Sequence, residues 1–227
     1  MAQPAVGSVV ETLRQRILDG AMAPGDRLDE VRLGGELEVS RNTLREAFRV
    51  LEHEHVIEHR PHRGVFVRRL TAREAREVYA MRRLVEPGAL REAAVRRLAA
   101  QQLPTAEQGP FERAWERAVS EVVRAVGQGQ SGVRAGDFGA VGTANGRFHL
   151  AVAALSGNDV IVRTVRQLLT EMRLLFLVAD SARDVHARYV EDNRRIADLI
   201  VAGELVRASV AMEDYLFRAE RHLLSDC

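Results

Sequence analysis

One stretch constrains this chain more than any other: Val39-Ser40-Arg41-Asn42-Thr43-Leu44-Arg45-Glu46-Ala47-Phe48-Arg49-Val50-Leu51. Leu44, Ala47, Phe48 and Leu51 recur at intervals of three and four, the mark of one apolar stripe on a helix. Ser40 stands just before that stripe and suits an N-cap. Arg41, Arg45 and Arg49 are spaced four apart and leave the helix on one shared face. One face is thus committed to a core while another carries three guanidinium groups. A guanidinium can donate two hydrogen bonds to the O6 and N7 edge of guanine, or pair with a phosphate. An arginine row alone would be a solvated charged face, so the flanking sequence decides between the two.

The flanks supply a DNA-binding module. Residues 1–7 read as a loose tail, and Val9, Leu13, Ile17 and Leu18 mark a first helix from Ser8 to Asp19 that Gly20 ends. Ala23-Pro24-Gly25-Asp26 is a turn. Asp29 to Leu37 reads as a second helix with Val31, Leu33 and Leu37 inward, and Glu38-Val39 is the tight turn into the arginine-bearing helix. Helix, tight turn, helix is the arrangement whose second helix enters a major groove. Val56 to Arg60, the turn Pro61-His62-Arg63-Gly64 and Val65-Phe66-Val67 then form a hairpin, a wing placed directly after the recognition helix. Residues 41–70 hold seven arginines against four glutamates, a local positive surface whose DNA affinity should depend on salt. Four of the seven histidines lie between His53 and His62. A hairpin offers them no fixed coordination geometry, so they read as wing polarity and not as metal ligands.

Leu13-Arg14, Ile17, Gly20, Pro24-Gly25-Asp26-Arg27-Leu28, Val39-Ser40-Arg41, Leu44-Arg45-Glu46-Ala47, Leu51 and Arg63-Gly64 together resemble the winged-helix domain of GntR-type bacterial transcriptional regulators, across nearly all of residues 8–69. The resemblance implies that Arg41 and Arg45 read base edges, with Arg49 on the same face. It implies that Ser40, Asn42 and Thr43 reach phosphates, and that Arg63 and Gly64 form the wing tip. Glu38 and His55 occupy positions where the family usually carries glycine, and Asn42 one where threonine is common.

From Thr71 onward the pattern changes to long amphipathic helices. Six are expected: Arg73 to Ala100, kinked or broken at Pro87-Gly88; Phe111 to Val126; Asp137 to Leu155; Asp159 to about Ala179; Asp184 to Ala202; and Glu204 to Ser225. The loop around Leu103 to Gly109 and the glycine-rich, mobile stretch Gly127 to Gly136 separate the second from its neighbours, and Trp115 is expected in the core. Short loops between such helices imply an antiparallel bundle. The fold expected is therefore mostly α: residues 1–70 a winged helix-turn-helix with a short β-hairpin wing, and residues 71–227 an all-helical effector-binding and dimerisation domain.

Tyr79, Arg82, Glu86, Asn145-Gly146-Arg147-Phe148-His149, Ser156-Gly157-Asn158 and Ile196 through Gly203-Glu204 to Ala208 resemble the FCD effector domain of the FadR-type subgroup, more loosely than in the N-terminal domain. That resemblance implies a homodimer and a ligand cavity inside the bundle. In relatives the cavity often holds a divalent metal on an Asp or Asn, a His four residues later, and two more histidines on the last two helices. Here Asn145 and His149 match the first pair, but the third position falls on Asn193 and the fourth on Tyr215. A carboxamide and a neutral phenol are poor ligands beside imidazole, so no metal cofactor is expected, with His149 the one strong ligand retained. His186 and His222 lie seven residues from those positions, about 10 Å along a helix, and read as surface histidines. Arg82 would clamp a carboxylate effector, or else pair with Glu86 one turn on. Arg173 is a further effector candidate, beside Asn145, His149, Asn193 and Tyr215.

The formal charge of +1 excludes nothing, since a DNA binder needs local and not global charge. Cys227 is the only cysteine, which fits a reducing cytoplasm, and neither a signal peptide nor a membrane span is apparent. No nucleophile–base spacing or phosphate loop points to an enzyme. The functional expectation is a ligand-responsive repressor that binds a palindromic double-stranded DNA operator as a homodimer. The alternative is an effector-independent DNA-binding repressor with a degenerate, metal-free pocket.

Overall fold

A computed structural model describes residues 5–18, 21–102, 104–176 and 182–225. Asp19 and Gly20, the expected helix continuation to Ala179, the His186 side chain and Cys227 lie outside the described residues. Contacts divide the chain into two units: residues 1–71 with 170–180, and residues 72–169 with 181–227.

The first unit begins with α1 (Val6–Leu18), β1 (Arg27–Leu28), α2 (Glu30–Glu36) and α3 (Arg41–His53), followed by β2 (Ile57–Arg60) and β3 (Gly64–Val67). Val9, Leu13, Ile17, Leu33, Leu44, Ala47, Phe48 and Leu51 form its core. The sequence places Val31 inward on α2, but it is 68% exposed and only Leu33 of that helix is buried. Seven residues make barely two turns, too short to support a broad apolar face. Asp29 caps α2 by accepting from the Val31 and Arg32 amides, and Ser40 caps α3 by accepting from the Thr43 amide. The hairpin gains a third strand not expected from sequence: β1 pairs antiparallel with β3, giving the order β1-β3-β2. Two residues are too few to show a period of two.

Both helices of the helix-turn-helix end in Schellman turns. The Glu38 amide donates to Gly35 O and the Val39 amide to Gly34 O; the His55 amide donates to Glu52 O and the Val56 amide to Leu51 O. That geometry demands a left-handed residue, and Glu38 (φ 54°) and His55 (φ 57°) supply it without being glycine.

The second unit is built from α4 (Ala72–Ala100), α5 (Thr105–Ala135), α6 (Phe138–Ala154), the start of α7 (Asp159–Phe176), α8 (Ala182–Val201) and α9 (Leu205–Ser225). Two expectations are corrected here. The break allowed at Pro87-Gly88 is not made, since α4 continues through Pro87, and the stretch expected to be a mobile loop, Gly127 to Gly136, is helix up to Ala135. Its glycines serve packing: a Cβ on Gly132 would lie 2.8 Å from Val141 Cγ2, and one on Gly129 3.4 Å from Val190 Cγ2. Small residues let α5 approach α6 and α8 closely, and the packing offsets glycine's weak helix propensity. Trp115 is half-exposed, with the Arg97 guanidinium 4.8 Å from its ring centre, and is not a core residue. No helix among the described residues is long and apolar enough to cross a membrane.

Candidate functional site

Two constellations stand out, one in each unit. On α3 the buried stripe of Leu44, Ala47, Phe48 and Leu51 fixes the helix, and Arg41, Asn42, Arg45 and Arg49 stand exposed. Arg41 has no partner among the described residues. Arg45 Nε donates to Glu30 Oε2 of α2 at 3.1 Å, and Arg49 pairs with Glu46 at 2.5 Å. These pairs are exposed and worth little, so phosphates or base edges can displace them. Ser40 and Thr43 are less available than the sequence suggests, because their hydroxyls bond each other at 2.9 Å while Ser40 caps the helix. Asn42 remains the open polar side chain of that turn.

A groove of about 310 Å³ separates α3 from the wing, lined by Glu30, Arg45, Arg49, Glu52, His59 and Val65 among others. At the wing tip Arg63 is exposed, and Gly64 has φ 103°. A Cβ on Gly64 would meet Arg27 Nε at 3.3 Å, so Arg27 of β1 braces the tip. Sequence reasoning assigned no such part to Arg27, since only the unexpected strand brings it there. Arg60 lies 4.4 Å over the Phe66 ring and stiffens the same hairpin.

In the bundle, Arg82 and Glu86 of α4, His149 of α6, Asn193 of α8 and Tyr215 of α9 form a buried polar cluster, with half-buried Asn145 of α6 at its edge. Arg82 Nε donates to Glu86 Oε1 at 2.6 Å, the helical pairing that the sequence allowed. His149 Nδ1 lies 2.5 Å from Glu86 Oε2, and His149 Nε2 lies 3.2 Å from the Tyr215 hydroxyl. An ionised Glu86 accepts only, so Nδ1 carries the proton and Nε2 accepts from Tyr215. Asn193 Nδ2 donates to Asn145 Oδ1 at 2.7 Å. The His149 and Tyr215 rings stack at 5.4 Å, with Tyr189 edge-on to Tyr215 at 5.1 Å. Arg173 falls in residues 170–180, which the contacts group with the first unit.

Charges in the cluster are fixed by burial and by each other. Burial alone would raise the Glu86 carboxyl, but Arg82 and His149 together hold it down at about 2. Burial lowers His149 below its usual 6.5 against the pull of Glu86, so the imidazole is neutral near pH 7. Burial raises Tyr215, which stays a phenol. The cluster is therefore one cation, one anion and neutral partners. Two buried atoms of this cluster, Arg82 Nη2 and Asn193 Oδ1, have no hydrogen-bond partner among the described residues.

This donor set does not fit the metal of the FCD resemblance. Both imidazole nitrogens are engaged, the two carboxamides bond each other, and the one carboxylate is already paired with a guanidinium. Among the described residues no three His, Cys, Asp or Glu side chains are grouped to hold an ion.

Comparisons with known proteins bear on both constellations. Residues 5–67 match the model for bacterial regulatory proteins of the gntR family, and residues 110–218 that for the FCD domain. A GntR transcriptional regulator from Rhodococcus sp. RHA1 is 32% identical, with 98% of each chain covered and a TM-score of 0.82. E. coli McbR/YncC has a TM-score of 0.76 at 18% identity over 99% of each chain, a likeness of fold. The HTH-type transcriptional regulator Rv1152 of Mycobacterium tuberculosis is 41% identical over 64 residues, 26% of this chain and 53% of that protein. The chain thus spans about half the length of that curated relative.

Proposed function

Because this chain belongs to the GntR family of bacterial regulatory proteins and carries an FCD domain, we propose that it is a cytoplasmic, ligand-responsive repressor that binds a palindromic operator as a homodimer. The observation that carries the DNA-binding part is α3, anchored by a fully buried stripe and presenting Arg41, Arg45 and Arg49 to solvent. Two such helices about one DNA turn apart would enter successive major grooves, with Arg63 on flanking phosphates. An effector bound within the bundle would bias the equilibrium between DNA-competent and incompetent arrangements by its differential affinity for them. Neither constellation pairs a nucleophile with a base near an open substrate site, so the reading includes no catalysis.

The effector site on this reading is the buried cluster, with Arg82 Nη2 offering a donor and Asn193 Oδ1 an acceptor. On this reading no metal takes part, because both His149 nitrogens and the Glu86 carboxylate are already engaged and a carboxamide oxygen alone is a poor ligand. Glu86 already neutralises Arg82, so a carboxylate effector has to displace that pairing or arrive with a proton taken up by His149. Carboxylate affinity should therefore rise as pH falls, whereas an uncharged effector should bind independently of pH.

A second reading, an effector-independent repressor with a degenerate pocket, is favoured by how nearly the cluster satisfies itself. Both are tested by fluorescence anisotropy on duplexes enriched from a random pool. A palindromic selected site with salt-dependent binding supports DNA recognition, and failure to enrich any site refutes it. Adding metabolites to the complex separates the readings, since one that shifts affinity in wild type but not in Arg82→Gln supports the effector site. Stoichiometric metal in protein purified without chelator would overturn the metal-free part.

A further inference from the structure

Among the described residues, seven of the eleven exposed large apolar side chains of the second unit lie on α4 and α9 and share one face. On α4, Met81, Leu84, Val95 and Leu98 are 44–69% exposed. With Gly88 and Arg91 they complete a 3-4-3-4-3 spacing along one helix, the spacing of a seam that packs against another helix. The two exceptions fit that use. A Cβ on Gly88 would meet nothing within 4 Å, so the residue is not small to suit its own bundle. Arg91 turns its guanidinium to Ser209 Oγ of α9 at 3.1 Å, out of the seam.

α9 continues the same surface. The Arg91–Ser209 contact and the Arg83–Glu220 ion pair show that α9 lies antiparallel beside α4. On α9, Val206, Val210 and Phe217 are 51–64% exposed and fall on the flank nearer α4, adjoining Ser209 and Glu220 around the helix. Arg83 reaches the Phe217 ring, its guanidinium carbon 6.0 Å from the centre. Two apolar stripes therefore flank one helix–helix groove on the outer face of the bundle.

We propose that this α4–α9 face is the surface through which two copies of the chain pair. The seven apolar residues expose roughly 700 Å², close to the ~800 Å² that each partner contributes to a standard stable interface. The rim carries both signs in neighbouring pairs, Arg73 with Glu77 at one end and Arg207 with Glu204 at the other. A mixed rim around an apolar centre suits a second copy of itself; an anionic lipid surface or nucleic acid would call for a basic one. Gly88, mid-seam, allows the closest approach of two backbones. This inference deepens the homodimeric reading above by naming its interface.

Light scattering after size-exclusion chromatography tests it on the full chain. Wild type should run at twice the chain mass. Leu84→Glu combined with Val210→Glu should halve that mass with an unchanged helical circular dichroism spectrum, while Val160→Glu, at an equally exposed valine off this face, should leave it doubled. A wild-type dimer that survives L84E/V210E overturns the interface and leaves the homodimer standing. A wild-type monomer overturns both. Should the double variant lose helicity, hydroxyl-radical footprinting of wild type decides: Met81 and Phe217 must gain reactivity on dilution into monomer, and unchanged reactivity overturns the proposal.

Discussion

Glu86 has both carboxylate oxygens taken, one by Arg82 and one by His149, and no exposure to water. Removing its charge in Glu86→Gln leaves a buried guanidinium unpaired, and the cost should be about 3–5 kcal/mol in urea unfolding. The same residues set an acid response. His149 is held neutral below its free value of 6.5, so the unfolded chain binds the extra proton and stability should decline as pH falls below about 6.5. Glu86, depressed from 4.5 to about 2, adds a second loss across that lower window. Thermal melts between pH 8 and pH 5 should show the first decline, and His149→Gln should flatten it. On the DNA side, Arg45→Ala should weaken a selected operator by about 1–3 kcal/mol and relax preference at one base pair, read by competition anisotropy. Uniform weakening across all sequences would instead make Arg45 a phosphate contact.

At the scale of elements, the Schellman turns after α2 and α3 hold Glu38 and His55 in left-handed backbone, a region that costs a residue with a Cβ about 1–2 kcal/mol. Glycine relieves that strain but is freer when unfolded, so Glu38→Gly and His55→Gly should each stabilise by about 0.5–1 kcal/mol in chemical denaturation. Gly132→Ala should go the other way by about 1–3 kcal/mol, since its Cβ would sit 2.8 Å from Val141 Cγ2 and 3.2 Å from Asp137 O. These cases show what the sequence reveals. The α3 stripe, its Ser40 cap and the wing turn are local patterns, and they were legible residue by residue. The stretch holding Gly129 and Gly132 reads as a loop from sequence because the reason for these glycines lies on α6 and α8, outside any sequence window. The bundle site was half legible: Arg82 with Glu86, and Asn145 with His149, are one turn apart, but the His149–Glu86 bond spans 63 residues. No spacing rule predicts such a partner.

For the whole molecule, the DNA-binding reading implies that association weakens steeply with salt, and Arg63→Ala should lower the slope of log affinity against log salt by about 1 per protomer. The two contact units also differ from the cut the sequence suggests at residue 70. α7 contributes residues 159–169 to the bundle and 170–176 to the first unit, where Met172, Leu174 and Leu175 are buried and Glu171 pairs with Arg68 at 3.1 Å. The first unit is thus discontinuous along the chain, and this has a consequence for synthesis. A nascent chain released through residue 71 still lacks part of that unit's packing, which emerges only about a hundred residues later. The unit translated first is therefore completed only after most of the second has been made, and a fragment cut at residue 70 should melt below the same unit in the full chain.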